Sequence, residues 1–86
     1  QDVDPADVQG RLADPADIDA QLLAADFEML SGDVDTAFDR LIGVVRRTSG
    51  EERDRTRLHL LSLFETLPAD DPSVVKARRN LAGALF

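Results

Sequence analysis

The chain has 86 residues, of which 43% are hydrophobic and 31% are charged, and it carries a net charge of −7. That length corresponds to one small domain with a modest core. The absence of cysteine excludes disulfides, zinc–thiolate sites and thiol catalysis within the chain. No apolar run reaches the roughly 18 residues that a spanning helix needs, and no signal peptide is visible, so we expect a cytoplasmic protein. The chain begins with Gln1 rather than methionine, which favours a fragment of a longer protein.

Charge is distributed unevenly along the chain. Residues 1–39 contain eleven Asp and Glu against one basic residue, a net of −10, whereas residues 40–86 contain six acidic and nine basic residues, a net of +3. Acidic residues favour helix starts and basic residues favour helix ends, which explains much of this pattern. The alternative interpretation is an electropositive surface on the second half that docks an acidic partner.

The tetrapeptide Asp-Pro-Ala-Asp occurs at residues 4–7 and again at 14–17. An Asp N-cap followed by Pro at the first helical position is typical of a helix start. The first copy predicts a short helix from Pro5 to Leu12 in a leading segment, residues 1–13. The second copy predicts a long helix from Pro15 to about Leu30, which opens the main domain, residues 14–86.

Two apolar stripes follow this long helix, and together they indicate a helix that is covered on two sides. The first stripe comprises Ile18, Leu22, Ala25 and Met29, and the second comprises Leu23, Phe27 and Leu30. Gly32 then ends the helix in the left-handed conformation, and Asp33 is placed to cap the next one. Because the loop is so short, the two helices must be antiparallel neighbours.

The second helix, from Val34 to Arg47, has one apolar face at helical spacing. That face comprises Val34, Ala37, Phe38, Leu41, Ile42 and Val45. A capping box of Ser49 and Glu52 predicts a third helix from about Gly50 to Leu67. The charged start of this helix, residues 51–57, is expected to project from the core. Its second half supplies Leu60, Leu63, Phe64 and Leu67, with Leu58 and Leu61 adjoining.

The dipeptide Asp71-Pro72 repeats the signal of an N-cap followed by a first helical residue. It predicts a last helix from Ser73 to about Leu85. The expected core face of this helix comprises Val74, Ala77, Leu81, Ala82 and Leu85. The sequence therefore predicts an all-α fold of four main antiparallel helices, arranged as two helical hairpins, plus the short N-terminal helix.

No set of residues indicates catalysis or a bound cofactor. His59 is the single histidine and lies between two leucines on a predicted helix, so we expect a structural or solvent-facing role. The aspartates match no calcium-binding loop, and no glycine-rich phosphate loop is present. We therefore expect neither metal nor cofactor and no enzyme. The arginines of the second half raise nucleic-acid binding as a hypothesis, but the low pI and the carboxylates among them argue against it.

The two predicted hairpins are offset by about 35–39 residues, close to the 34 residues of a tetratricopeptide repeat. The first hairpin partly fits that repeat, with Ala24 and Ala25 at close-approach positions, Gly32 at the turn and Ala37 in the second helix. The second hairpin fits in length only, because Leu60 and Leu61 stand where a small residue belongs. A degenerate terminal repeat has these features.

The segments LLAADFEMLSGDVDTAFDRLIGVVRR and LLSLFETLPADDPSVVKARRNLAGALF carry a further resemblance. In order and spacing they resemble the C-terminal helical domain of the thioredoxin-like co-chaperones of bacteria, the YbbN-type chaperedoxins. That family joins a thioredoxin-like domain to tetratricopeptide-like repeats and passes unfolded clients to folding machines. No Cys-x-x-Cys is present here, so any redox activity would lie outside this chain.

The resemblance implies a domain that binds unfolded client proteins, a chaperonin, or both. It places the partner contacts on the last helix, at Val75, Arg78, Arg79, Leu85 and Phe86. In the alternative interpretation, Leu85 and Phe86 close the core and the arginines are solvated. A second functional hypothesis is a homo-oligomerisation module whose terminal helix pairs with that of another copy. We expect neither nucleic acid nor a membrane as a partner.

Overall fold

The computed structural model describes residues 17–85, which form four α-helices and contain no strand. The helices are α1 (Ile18–Leu30), α2 (Val34–Arg47), α3 (Gly50–Phe64) and α4 (Pro72–Leu85). The predicted all-α class with four main helices is therefore confirmed. The predicted short helix from Pro5 to Leu12 lies outside the described residues. Within residues 17–85, none of the helices has the length and apolarity required to cross a membrane.

Helix α1 begins three residues later than predicted. Asp17 has extended backbone angles (φ −84°, ψ 91°) and is the N-cap, and its Oδ1 accepts a hydrogen bond from the amide of Ala20 at 3.0 Å. Either aspartate of the second Asp-Pro-Ala-Asp tetrapeptide could in principle take the N-cap position. The structure places the cap on the second one, so the prediction that the helix starts at Pro15 was wrong.

The turn after α1 confirms the role predicted for Gly32, whose φ is +85°. The amide of Gly32 donates to the carbonyl of Met29 at 3.1 Å, and the amide of Asp33 donates to that of Glu28 at 2.8 Å. This pair of bonds is a Schellman motif, which satisfies carbonyls at the end of the helix. Asp33 takes the N-cap position of α2, but its side chain makes no capping hydrogen bond, so the predicted side-chain cap was wrong.

Helix α3 begins at Gly50 as predicted, but the predicted capping box is not formed. Ser49 is the N-cap, but its side chain makes no cap hydrogen bond. A capping box requires helical backbone angles directly after the N-cap. Gly50 has φ +62° instead, which turns the chain away from that geometry.

Helix α3 ends at Phe64 rather than Leu67. Pro68 disfavours helical backbone at the residue before it, and the hydroxyl of Thr66 donates to the carbonyl of Leu63 at 2.7 Å. The next helix starts as the Asp71-Pro72 signal predicts. The Oδ1 atom of Asp71 accepts from the amide of Ser73 at 2.9 Å, and Pro72 is the first helical residue.

Helix α2 lies at the centre of the fold and packs extensively against each of the other three helices. Its buried residues are Ala37, Phe38, Leu41, Ile42, Val44 and Val45. The ring of Phe38 meets that of Phe64 edge to face, with centroids 4.9 Å apart and an interplanar angle of 88°. Such pairs are favourable beyond the apolar area that they bury.

Contacts between side chains define how the two hairpins are stacked. Asp19 of α1 pairs with Arg55 of α3, and Asp26 of α1 pairs with His59 of α3. Residue numbers therefore increase in the same direction along both helices. Helices α1 and α3 are therefore parallel neighbours, related by 36 and 33 residues at these two pairs. That offset is close to the repeat length suggested by the sequence.

Most of the predicted core residues are buried, and the exceptions lie at the surface. Leu23, Phe27 and Leu30 are exposed, so residues 17–85 leave the second stripe of α1 uncovered, contrary to the prediction. Ala82 is also exposed, whereas it was placed in the core. In the opposite direction, Thr56 of the charged start of α3 is fully buried, and its hydroxyl donates to the carbonyl of Glu52 at 2.9 Å.

Two glycines give a matched test of the turn. Neither Gly32 nor Gly83 has an atom within 4 Å of an added Cβ, so the substitutions differ in backbone conformation and not in space. We expect Gly32→Ala to cost about 1 kcal/mol of unfolding free energy, because its φ is left-handed. Gly83→Ala lies inside α4 and should gain about 0.5–1 kcal/mol. Urea denaturation measures both, and equal shifts would contradict the role assigned to Gly32.

Candidate protein-binding surface

An apolar stripe runs along the outer side of α1. Its residues follow helical spacing of four and three, and their exposed fractions are 38% for Leu23, 52% for Phe27 and 84% for Leu30. Single exposed apolar residues are ordinary on protein surfaces, but a contiguous patch marks a binding site more often than not. We call these three residues, together with Leu58 of α3, the apolar surface.

Leu58 belongs to this surface because of where it lies relative to the contact between α1 and α3. It precedes His59, which bonds to Asp26 of α1, and it is 58% exposed. Successive side chains of an α-helix are rotated by about 100° around its axis, so Leu58 lies on the side of α3 away from buried Leu60. In the same way, the stripe lies on the side of α1 away from buried Leu22. The four side chains therefore border the same side of the α1–α3 contact.

Polar contacts hold α1 and α3 side by side beneath this surface. The Nε2 atom of His59 donates to Oδ1 of Asp26 at 2.8 Å, and Arg55 pairs with Asp19. These groups are partly or largely exposed, so each contact contributes at most about 1 kcal/mol. Their effect is mainly to define the relative position of the two helices.

A stronger polar contact joins α1 to α2. The Nε and Nη2 atoms of Arg40 donate to the two carboxylate oxygens of Glu28 at 2.9 and 2.8 Å, and Nη1 donates to Oε1 of buried Gln21 at 2.9 Å. The hydrogen bond to Glu28 raises the pKa of Arg40 above its ordinary value, against the opposing effect of burial. A two-point contact of this kind specifies geometry as well as energy.

Two adjoining pockets lie at the end of the bundle where α1 meets α2. The first has a volume of about 440 Å³ and is lined mainly by apolar side chains, including Met29, Leu30, Val34, Leu63 and Leu67. The second has a volume of about 410 Å³, and its lining includes Asp33, Asp35 and Asp71. Val34 and Leu67 line both pockets, so the two pockets are neighbours.

The residues that the sequence placed at a partner site on the last helix do not share one environment. Val75 and Arg79 are exposed and lie one helical turn apart. The guanidinium carbon of Arg78 instead lies 5.1 Å from the centre of the buried Phe64 ring, a cation–π contact within the fold. Leu85 is half-buried against the core, and Phe86 lies outside the described residues.

The sequence analysis did not propose the apolar surface as a site. The signal was present as the second stripe of α1, but it was assigned to burial against a neighbouring element. His59 has the structural role expected for it, as a bridge to Asp26. Across residues 17–85, no group of three His, Cys, Asp or Glu side chains is placed to hold a metal ion.

A pair of stacked helical hairpins with an exposed apolar surface is the architecture of a helical-repeat interaction domain. The family model for the tetratricopeptide repeat matches residues 1–86, and the chain belongs to that family. Repeats of this kind generally mediate protein–protein interactions and are typically non-enzymatic.

Curated relatives from mycobacteria match almost all of the chain. They include the uncharacterized proteins Rv1324 of Mycobacterium tuberculosis and Mb1359 of Mycobacterium bovis, each 54% identical over 83 residues. The match covers 96% of this chain but 27% of each relative, so the chain spans about a quarter of the length of these proteins. No solved structure matches the chain at a significant level.

The contact of Arg40 with Glu28 and Gln21 can be tested by a conservative change. Arg40→Lys keeps the charge but cannot contact both carboxylate oxygens and Gln21 together, so we expect a loss of about 1–3 kcal/mol of unfolding free energy. Arg46→Lys, at an exposed position of the same helix, is the matched control and should change stability little. Equal urea midpoints for the two variants would contradict the importance of this contact.

Proposed function

We propose that the chain is a protein-binding domain of a thioredoxin-like co-chaperone and that it holds apolar segments of unfolded client proteins. The observation that carries this proposal is the apolar surface of Leu23, Phe27, Leu30 and Leu58. An unfolded client exposes apolar side chains that a folded protein would bury. A surface that offers Leu and Phe side chains on one face binds such segments by removing apolar area from water.

The size of the surface fits weak and reversible capture. Complete burial of a Leu or Phe side chain stabilises a complex by roughly 1.5–3 kcal/mol, and these residues are already part-covered in the free domain. Association also carries an entropic cost of several kcal/mol. The net affinity should therefore be modest, which suits a domain that must release its clients.

The co-chaperone context comes from the resemblance described above and from the length of the relatives. Because the chain spans 27% of each mycobacterial protein, most of such a protein is available for other domains. We propose that a thioredoxin-like domain is among them and that any redox activity belongs to it, since this chain has no cysteine. The proposed location is the cytoplasm, where such a protein would meet newly unfolded clients.

We further propose that α4 carries a second contact surface, used for a chaperone partner. Val75, Arg78 and Arg79 are exposed, and Val75 and Arg79 supply an apolar and a cationic contact on one face. The guanidinium of exposed Arg78 also lies over the Phe64 ring, and half-buried Leu85 would contribute only through the accessible part of its side chain. Phe86 remains part of the proposal.

The client-binding proposal is tested with the double variant Leu23→Gln/Phe27→Gln. Both positions are exposed, so the variant should fold, and its affinity for an unfolded protein should fall by about tenfold, or 1.4 kcal/mol. Light scattering reports how well the domain suppresses aggregation of a model protein diluted from guanidinium. Val75→Gln/Ala82→Gln is the matched control on α4, with two exposed positions changed in the same way. A double variant as effective as the parent chain would remove the proposal.

The α4 proposal has its own measurement. Val75→Asp/Arg79→Glu introduces charge reversal on the outer face of α4 and should abolish binding to an immobilised chaperonin, as followed by surface plasmon resonance. Leu23→Gln/Phe27→Gln should leave chaperonin binding unchanged, because it alters the client-binding surface on α1 and not α4. Retained chaperonin binding by the α4 variant, with its circular dichroism spectrum intact, would show that α4 is not the contact.

A further inference from the structure

The apolar pocket at the end of the bundle shares only Leu30 with the surface that the proposed function uses. Its volume of about 440 Å³ lies within the range of small-ligand and side-chain pockets. Met29, Val34 and Leu67 line it and pack against the core, so its walls are held in place by the fold. It opens beside Leu30, the most exposed member of the apolar surface.

The electrostatic surroundings of this pocket are one-sided. The neighbouring second pocket is lined by Asp33, Asp35 and Asp71 and shares Val34 and Leu67 with the first. No Lys, Arg or His lines either pocket. The N-termini of α2 and α4 contribute roughly half a positive charge each, which leaves about two net negative charges from the three carboxylates of the second pocket. Asp26, which lines the first pocket, is paired with His59.

Asp33 is available to a partner in a way that an N-cap aspartate usually is not. It stands at the N-cap position of α2, is exposed, and makes no side-chain capping bond. Its amide donates to the carbonyl of Glu28, and the residue lines the second pocket together with Asp35 and Asp71. A cationic group placed there would meet carboxylates at two or three positions.

We propose that this pair of pockets binds a polypeptide segment in which a large apolar side chain is followed by Lys or Arg. The apolar side chain enters the pocket of Met29, Val34 and Leu67, and the cation lies against Asp33 and Asp35. This inference rests on the proposed protein-binding function and specifies which segments of a partner the domain prefers. Apolar contact supplies most of the affinity, and charge complementarity supplies the selection.

A second copy of this chain is a poorer occupant than a segment of another protein. The basic helix α4 contains Lys76, Arg78 and Arg79, which would complement the acidic pocket. Most of the large apolar residues beside them cannot enter the pocket of another copy, however, because Val74 and Leu81 are buried within their own fold. Only Val75 protrudes on that helix among the described residues, and a valine fills a small part of the apolar pocket.

The test uses three short peptides with Gly-Ser flanks and the central sequences Leu-Arg-Arg, Leu-Glu-Glu and Ala-Arg-Arg. NMR titration of the isotopically labelled 86-residue chain gives the affinity of each and maps its location. We expect the first peptide to bind at least fivefold more tightly than the other two at about 50 mM salt, with the advantage over Leu-Glu-Glu shrinking at about 1 M. The largest shifts should be at Asp33, Val34 and Leu67.

Two double variants that each remove two negative charges isolate the role of the carboxylates that line the pocket. Asp33→Asn/Asp35→Asn should weaken binding of the Leu-Arg-Arg peptide by about threefold to tenfold, as expected for two partly exposed ion pairs. Asp39→Asn/Glu51→Gln removes the same charge at exposed positions outside both pockets and should leave the affinity within about twofold. Equal losses in the two double variants would overturn the proposal.

Other outcomes are equally decisive. Equal affinity for all three peptides, or shifts confined to Leu23, Phe27 and Leu58, would overturn the pocket while leaving client binding intact. If Leu23→Gln/Phe27→Gln leaves client binding unchanged while the chain still prefers the Leu-Arg-Arg peptide, the proposed function is removed and the pocket is retained. Concentration-dependent dimerisation abolished by Asp33→Asn/Asp35→Asn would assign the pockets to a second copy and overturn the proposed occupant.

Discussion

The burial of α2 is the constraint on which the rest of this structure depends. Phe38, Leu41, Val44 and Val45 are at most 1% exposed and occupy the space between the other three helices. In a chain of 86 residues no second core is available, so each remaining helix is stable only while it covers part of this one. The apolar surface of α1 can remain open to solvent because the opposite side of α1 already buries Ile18, Leu22 and Ala25.

The arrangement separates the residues that stabilise the fold from those available for binding. Side chains between α1 and α3 are paired, as Asp26 with His59, so the helices keep their spacing without burying the stripe. Arg78 takes part in both, because its guanidinium lies over the Phe64 ring while the residue remains exposed on α4. A binding surface on such a small domain therefore consists of whatever the single core does not require.

The helices were predictable because their apolar residues recur at a spacing that only a helix brings to one face, and because Gly32 and Pro72 mark boundaries by steric rules. The capping contacts were less predictable. Asp33 and Ser49 stand at the expected positions, but whether a side chain reaches an amide depends on the turn before it and on the φ of Gly50. Such details depend on three-dimensional geometry that residue type alone does not determine.

The candidate site was hidden for a different reason. Leu23, Phe27 and Leu30 have the same spacing whether they face a core or a partner, since apolar residues serve both purposes. Distinguishing the two requires knowing where α2 and α3 lie, and that follows from packing rather than from the periodicity of α1. The acidic pocket likewise combines residues near 33 with Asp71, which are far apart in the chain and meet only in the fold.

The contact of Arg40 with Glu28 and Gln21 has a consequence for how the chain acquires its fold. It spans 12 and 19 residues, so the first hairpin closes a short loop and can find its alignment before the last two helices exist. Helix α4 carries exposed Arg79, for which the described residues show no carboxylate contact. During synthesis from the amino terminus, the first hairpin would thus align before the second, and both would become stable only when α3 and α4 cover the shared core.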